Sequence, residues 1–565
     1  MMRLLTYGLL VLTLMWTSCD GGSYTVLETG IEVKTHNGDL VRLDVIASDI
    51  IHVRATQEKS FSDNESLMAI RGADASVEWE VVEEAESVQL KTSDIVAAVS
   101  RAAGQVTFYD TEGKVILQEA REGKTFRPVT VDDVRGYELR QVWESGDNEE
   151  AIYGLGQHQA HEMNYKGKNE ELFQYNTKVA VPFVISTNNY GILWDNYSLS
   201  RFGNPRPHGQ INQFNLYNAD GEEGSLTATY VDDVDAEHVF TVREESTIDY
   251  ENLETIKNFP EGFNFNNARI TWEGHLEPRE SGLYHFLLYY AGYTKIWVDG
   301  ELMADQWRTA WNPSVAKFQI EMVAGEKYPV KLEWFPDGGE SYVGLKALSP
   351  VDPQEQQNLS FYSEMGDEIN YYFMKGNSMD EVISAYRYVT GKAQVMPKWS
   401  MGFWQSRERY KTQEELLDVL QEFRQRQIPI DNIVQDWSFW EEEEWGSQEF
   451  DPARFPDPAG MIQEVHDNNA RIMISVWPKY YVGTEHYKEF DEKGWMYQRA
   501  VEDSVRDWIS DGYIGSFYDA YNPVPETCSG NRSGSISMIW ASMPGGWMLP
   551  SRTSFPMRAW NTAKL

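Results

Sequence analysis

Cysteine is almost missing from this chain: 565 residues hold 2, at Cys19 and Cys528. Two cysteines that far apart imply no disulfide framework. Histidine is sparse as well, with 10, and no His and Cys cluster falls at zinc-ligand spacing. No metal is expected on that basis. Positive charge is short, because 49 Lys and Arg face 88 Asp and Glu, for a net charge of -39. Such a chain repels nucleic acid and anionic membranes, which argues against both as partners. Long apolar runs are lacking except at the start, where "MMRLLTYGLLVLTLMWTSCDGG" carries one from Leu4 to Trp16 behind the single charge of Arg3. That run is too short to cross a bilayer comfortably and has the form of an export signal. Acid is missing from the C-terminal end as well. From Thr527 to Leu565 there is no Asp or Glu, where the average composition predicts about six.

The apolar run ends in a small-residue pair and then Cys19. A lone Cys directly after such a run has no disulfide partner, and its placement resembles a bacterial lipoprotein signal. Cys19 would then be the lipidated first residue of an exported periplasmic or outer-membrane lipoprotein, with 1–19 as signal peptide. A lipid anchor there is the one expected link to a membrane. A plain secretory signal is the alternative.

What is present is aromatic and folded. Aromatics make up 13% of the chain, with 20 Trp and 31 Tyr. A chain this long exceeds one ordinary core, so two to four domains are expected. The stretch "GIEVKTHNGDLVRLDVIASDIIHVRAT" alternates apolar and polar residues around Asn37-Gly38, a hairpin signal. Similar runs follow, so residues 20–224 read as a β-sandwich that resumes at 365–395. Between them, 225–364 reads as a second β-sandwich inserted in a surface loop, with Asp299-Gly300 as one of its turns.

After Pro397 the period changes. "KWSMGFWQS" reads as a strand and loop, and "KTQEELLDVLQEFRQRQIP" as an amphipathic helix. Thr412 and Glu415 suit a capping box, and Leu416, Val419, Leu420 and Phe423 share a face. "IPIDNIVQDW" and "RIMISVWP" are strands around a second helix. Strand, helix, strand, helix, strand predicts parallel βα units, the first part of a (β/α)₈ TIM barrel over 396–523. Working residues of such barrels sit at the C-terminal ends of strands. Those ends are expected to carry Trp404, Asp436-Trp437 and Trp477. A carboxylate beside indoles suits a sugar, whose hydroxyls donate to the acid and whose C–H faces stack on the rings. Loop capping by Asp436 and gap-filling by the Trp residues explain the same pattern equally well.

These residues resemble a known family. "GDEINYYFMKGNSMDEVISAYRYVTGKAQVMPKWSMGFWQS", "VQDWSFW" and "SVWPKYY", with "YGLGQH" earlier, are similar to glycoside hydrolase family 31, most of all its α-xylosidase members. The inserted unit resembles the protective-antigen-type sandwich of some of them. The resemblance covers roughly residues 25 to 523. It implies a retaining exo-glycosidase that works with two carboxyl groups and no cofactor on an oligosaccharide or polysaccharide. It puts Asp436 and Trp477 in the pocket of the terminal sugar, with Trp404 beside them. Xylose from xyloglucan oligosaccharides is the expected substrate. An α-glucosidase and a non-catalytic carbohydrate-binding remnant are the alternatives, the remnant holding glycan through Trp297, Trp307, Trp311 or Trp334.

The family's nucleophile motif, of the type W-x-D-x-x-E at the fourth barrel strand, does not stand in this chain, and neither does the acid/base. No catalytic residue is therefore named. A full barrel needs ~250 residues, and 169 run from Pro397 to Leu565. Trp and Met have single codons, so part of the message can be read one frame over. Met538-Ile539 then forces Asp, Trp540-Ala541 Gly, Met543-Pro544 Ala, and Trp547-Met548 Asp. One allowed reading of Ser537 to Arg552 is Y-D-M-G-I-D-A-W-W-M-D-A-S-E-P, which is the family's fourth strand. The tail 524–565 is thus expected to be an out-of-frame, disordered segment of a truncated and inactive chain.

Overall fold

The structure is a computed structural model. It describes residues 23–519 apart from 132–133, 146–148, 159–161, 175–177, 252–257, 311, 338–340, 443, 445–446, 448, 476–478 and 506–512. Cys19, Trp311, Trp477 and the tail from 524 lie outside the described residues. The chain forms two compact units, one of 1–63, 71–130 and 135–389, the other of 64–70, 131–134 and 390–565. Among the described residues no helix is long and apolar enough to cross a membrane.

The first unit holds two β-sandwiches. One pairs an eight-stranded with a nine-stranded sheet. Its opening hairpin joins Gly30–Lys34 to Leu40–Ala47. Gly38 sits there at φ 94°, a value that disfavours any side chain. Alternation decides the faces: Ile31, Val33, Val41 and Leu43 all point into the core. Large rings fill the middle. Trp194 stacks on Phe361 at 5.7 Å, and Trp143 meets Tyr371 edge-on at 5.1 Å. Several polar atoms in this core are matched, as burial demands. The Trp194 indole N–H donates to Ser363 Oγ at 2.8 Å. The buried Glu119 carboxylate accepts from Tyr371 Oη at 2.8 Å, from the Val106 amide at 2.7 Å and from Lys124.

The second sandwich has a five-stranded and a seven-stranded sheet around Tyr230, Trp272, Phe286 and Trp334. Its turn at Asp299-Gly300 has both residues at positive φ, 52° and 79°, which matches the twist of a two-residue hairpin. It is an insertion, since the chain returns from it into both sheets of the first sandwich. Leu359–Gly366 lies between Ser200–Phe202 and Val134–Glu144, and Ile369–Lys375 between Ile50–Thr56 and Tyr190–Trp194. The edges of the insertion differ from the expected 225 and 364. Gly209–Gln210 and Asn215–Tyr217 already pair into the second sandwich, while Leu359–Gly366 belongs to the first. Alternating strand sequence continues across both crossings, so only pairing reveals the change. Lys317 fastens the insertion to its host: its Nζ donates to Glu170 Oε2 and to the Asn169 carbonyl, both at 2.9 Å.

The second unit carries a parallel three-stranded sheet of Trp404–Gln405, Asn432–Gln435 and Arg471–Ile474. Helices Gln413–Gln425 and Pro458–Asp467 connect them. The first helix starts as its sequence requires, with Thr412 Oγ1 accepting from the Glu415 amide at 3.1 Å. Leu416, Leu417 and Leu420 are buried against Ile433 and Ile472 in one cluster. An antiparallel ribbon of Lys479–Tyr481 and Gly515–Phe517 follows. The stretch expected as strand at Lys398 is instead a 3₁₀ turn over Lys398–Met401, and the strand itself has two residues.

Candidate active site

The middle strand Asn432–Gln435 is hydrogen-bonded on both edges, so its C-terminal end is the best-defined point of the sheet. The Ser475 amide extends the ladder to the Gln435 carbonyl at 2.9 Å. Asp436 comes next and is half-buried. Its carbonyl accepts from Gln435 Nε2 at 3.2 Å, and the same amide group donates to the Tyr410 carbonyl at 3.2 Å. Gln435 thereby ties the end of this strand to the loop after the first one. Burial raises the Tyr410 hydroxyl above its ordinary range, although a nearby Gln405 side chain opposes this.

Beyond Asp436 the chain turns sharply. Ser438 adopts φ 60°, and Phe439 and Trp440 plunge into the core against Phe450 and Phe455. Phe439 meets Trp440 at 4.9 Å and Phe450 at 4.7 Å. These rings anchor the loop, leaving Asp436 and Trp437 at the strand end. Arg409 lies over the Trp437 ring at 4.4 Å, so one face of that indole is already taken by a cation.

Arg454 clamps the loop from below. Its Nη1 donates to the carbonyls of Ser438 at 3.0 Å and Lys411 at 3.2 Å, and its Nη2 donates to the Trp440 carbonyl. Its Nε pairs with Asp451 at 2.6 Å. The hydrogen bonds from Arg454 hold the Asp451 carboxyl below the usual carboxylate range. One guanidinium thus fixes the loops that follow two adjacent strands.

Of the residues expected at the site, Trp404 and Asp436 are described, and they do not stand together. Trp404 pairs in register with Asn432, at the start of the middle strand, four residues before Asp436. At about 3.3 Å per residue this sets it roughly 13 Å along the sheet from Asp436. Its indole N–H donates to the Ser400 carbonyl at 3.0 Å, and it is 37% exposed. The expectation failed because the first strand begins at Trp404; the loop toward the Asp436 end is Ser406 to Tyr410. Trp477 lies outside the described residues. Arg409, Gln435 and Arg454 were not expected, and a lone Arg or Gln beside a loop gives no periodic signal. Among the described residues, no three His, Cys, Asp or Glu gather as a metal site.

Comparison with known proteins bears on the architecture. Residues 393–543 match the glycosyl hydrolases family 31 TIM-barrel domain. Residues 40–202 match the glycosyl hydrolase 31 N-terminal galactose mutarotase-like domain, and 221–355 match the PA14 domain. An α-xylosidase of Saccharolobus solfataricus is 24% identical over 446 residues, covering 76% of this chain and 40% of that protein. The crystal structure of a family 31 α-xylosidase from Xanthomonas citri is 40% identical and superposes with a TM-score of 0.80 over 91% of this chain and 55% of the other. A family 31 α-xylosidase from a soil metagenome, solved with xylose, is 20% identical with a TM-score of 0.55 over the same shares, a likeness of fold. The chain spans about half the length of these relatives or less. With the family's sandwich and its barrel both matched in order, the chain belongs to glycoside hydrolase family 31, with a PA14 domain inserted in its sandwich.

Proposed function

We propose that this chain forms the sugar-binding side of a retaining exo-glycosidase that releases terminal α-linked xylose from xyloglucan oligosaccharides. The observation that carries the reading is Asp436: a half-buried carboxylate at the C-terminal end of the best-supported barrel strand, on a loop clamped by Arg454. In this reading Asp436 accepts hydrogen bonds from the hydroxyls of the terminal sugar, and Trp477 forms part of the pocket wall. Two further carboxyl groups perform the double displacement, one attacking the anomeric carbon and one protonating the leaving oxygen and then activating water. Neither stands in this sequence in frame, so residues 1–565 by themselves give no turnover. Sequencing independent DNA across the codons for Pro523 to Glu526 decides the point: a clean single-frame read removes a sequencing error as the cause.

Calorimetric titration of xylose and glucose into the chain tests the pocket. Xylose binding that Asp436→Ala abolishes supports the reading, and equal binding by the variant refutes it. Glucose bound more tightly than xylose moves the assignment to an α-glucosidase. We propose also that the chain is exported and lipidated at Cys19. Incorporation of labelled palmitate that Cys19→Ala fails to abolish rules out the anchor.

A further inference from the structure

Arg140 stands on the nine-stranded sheet of the first sandwich, on the face away from the core. Leu139 and Trp143 of the same strand point into the core, so alternation turns Arg140 outward. It pairs directly with Tyr362, which pairs on its other side with Arg201, and direct partners share a face. The surroundings of the two arginines differ. Arg201 lies 3.2 Å from Glu171 and 3.7 Å from Glu364. Arg140 has no hydrogen bond or ion pair among the described residues, and its Nε is buried without an acceptor. Burial draws its guanidinium below the ordinary Arg range, and the attraction of Glu355 opposes this. Glu355 itself is exposed and forms no ion pair with it. A chain with 88 Asp and Glu against 49 Lys and Arg has no general shortage of carboxylates.

Arg140 lines a pocket together with Ser360, Lys168, Asn204, Gln356 and Asn358. Several of these groups are satisfied by protein. Ser360 Oγ donates to the Gly203 carbonyl and Gln356 Nε2 to the Gly167 carbonyl, both at 2.6 Å, and Lys168 Nζ donates to Glu162 at 3.1 Å. Asn358 Oδ1 is not: like Arg140 Nε, it is buried without a protein partner. One pocket thus presents a charged donor and a neutral acceptor, each unpaired. Arg206 adds positive potential, since its charge also acts on Arg140. Its side chain donates to the Ser349 carbonyl at 2.7 Å and to Asn204 Oδ1 at 3.3 Å, and it meets no carboxylate among the described residues. A buried cation calls for a counter-charge, which a water or an uncharged ligand does not supply. An anion with acceptor oxygens only would set a lone pair against Asn358 Oδ1. An oxyanion that keeps one O–H answers both groups: its charged oxygens accept from Arg140, and its hydroxyl donates to Asn358. Hydrogen phosphate is the simplest such ion.

We infer that this pocket binds a small oxyanion of the hydrogen phosphate type, held by Arg140 and selected by Asn358. The site lies where the insertion joins its host. Asn204 precedes the entering strand Gly209–Gln210, and Asn358 stands between the leaving strand Val343–Leu348 and the host strand Leu359–Gly366. An anion bound there links both crossing segments to the nine-stranded sheet. The inference does not depend on Asp436 or on the glycosidase reading.

Calorimetric titration of the full chain tests it, with sodium phosphate and sodium sulfate as probes at neutral pH and one ionic strength. Phosphate should bind, and sulfate, which carries no proton at neutral pH, should bind about tenfold more weakly. Arg140→Gln should weaken phosphate binding about tenfold or more, through loss of a charge-assisted hydrogen bond. Asn358→Leu should erase the preference for phosphate over sulfate. Methyl phosphate binding as tightly as phosphate assigns the source to phosphate monoesters, and weaker binding assigns it to the free ion. Urea unfolding gives a second readout. Without phosphate, Arg140→Gln should be at least as stable as the parent, because it removes a buried cation that no carboxylate pairs. Phosphate should raise the midpoint of the parent more than that of the variant. No phosphate binding by the parent, binding unchanged in Arg140→Gln, or sulfate bound as tightly as phosphate overturns the inference. So does an Arg140→Gln chain less stable than the parent in phosphate-free buffer, which would make Arg140 a structural residue.

Discussion

Replacing Arg454 by methionine should loosen the loop that holds Asp436 and leave the sheet beneath it intact. Methionine keeps apolar bulk beside Phe455 but donates nothing. Three backbone carbonyls, those of Lys411, Ser438 and Trp440, lose a charged donor at once. A hydrogen bond to a charged group contributes about 1.5–3 kcal/mol net when water cannot replace it. The Arg454 side chain is 28% exposed, so water reaches part of the site and the sum must be discounted. The pair with Asp451 lies at the surface and adds little. A local loss of about 2–4 kcal/mol remains, which corresponds to amide exchange roughly 30 to 1000 times faster over the loop. Hydrogen exchange read by mass spectrometry should show that acceleration in residues 437–441, with Ile433 and Val434 unchanged. Exchange that rises less than about threefold in the loop, or equally in the strand, would refute the clamp.

Two further outcomes follow from the first sandwich. Burial pushes the His52 imidazole down to about 4, where it stacks on Tyr372 at 4.1 Å with Nε2 2.6 Å from Asn370 Oδ1. Above the unfolded value of 6.5 it is neutral in both states; as the pH falls from 6.5 to 4 only the unfolded chain gains the proton. Stability should fall across that window by up to about 3 kcal/mol from this group. His52→Phe should flatten the pH dependence of the urea midpoint between pH 6.5 and pH 4; an unchanged profile contradicts the assignment. Trp194→Ala should cost roughly 3–5 kcal/mol in denaturant unfolding, because it opens a cavity beside Phe361 and leaves the Ser363 hydroxyl short of a donor.

Much of the fold was legible in the sequence where local chemistry decides it. Asn37-Gly38 and Asp299-Gly300 form the expected turns, with Gly38, Asp299 and Gly300 at the positive φ that few residues other than Gly, Asn and Asp accept. Thr412 caps its helix, although Glu415 Oε2 accepts from the Lys411 amide at 2.7 Å and leaves the Thr412 amide of the usual capping box alone. Long-range pairing was less legible. Gly209–Gln210 and Leu359–Gly366 have strand-like sequence wherever they pair, so the crossings into and out of the insertion were misplaced. The site was half legible. Asp436 stands at a strand end as its pattern implied, but Trp404 lies at the opposite end of the sheet, since a two-residue strand carries too short a period to locate its own terminus. Trp334 and Trp307 look alike in sequence, and one is core while the other is exposed.

The account turns on whether the family's chemistry is present but out of frame. The most direct measurement is release of 4-nitrophenol from its α-xyloside by two proteins, this chain and a version with the reading frame restored after Pro523. The expected result is no release by the chain as it stands and release by the restored protein, from the α-xyloside and not from the α-glucoside. Turnover by the chain as it stands, or none by a folded restored protein, would contradict the account.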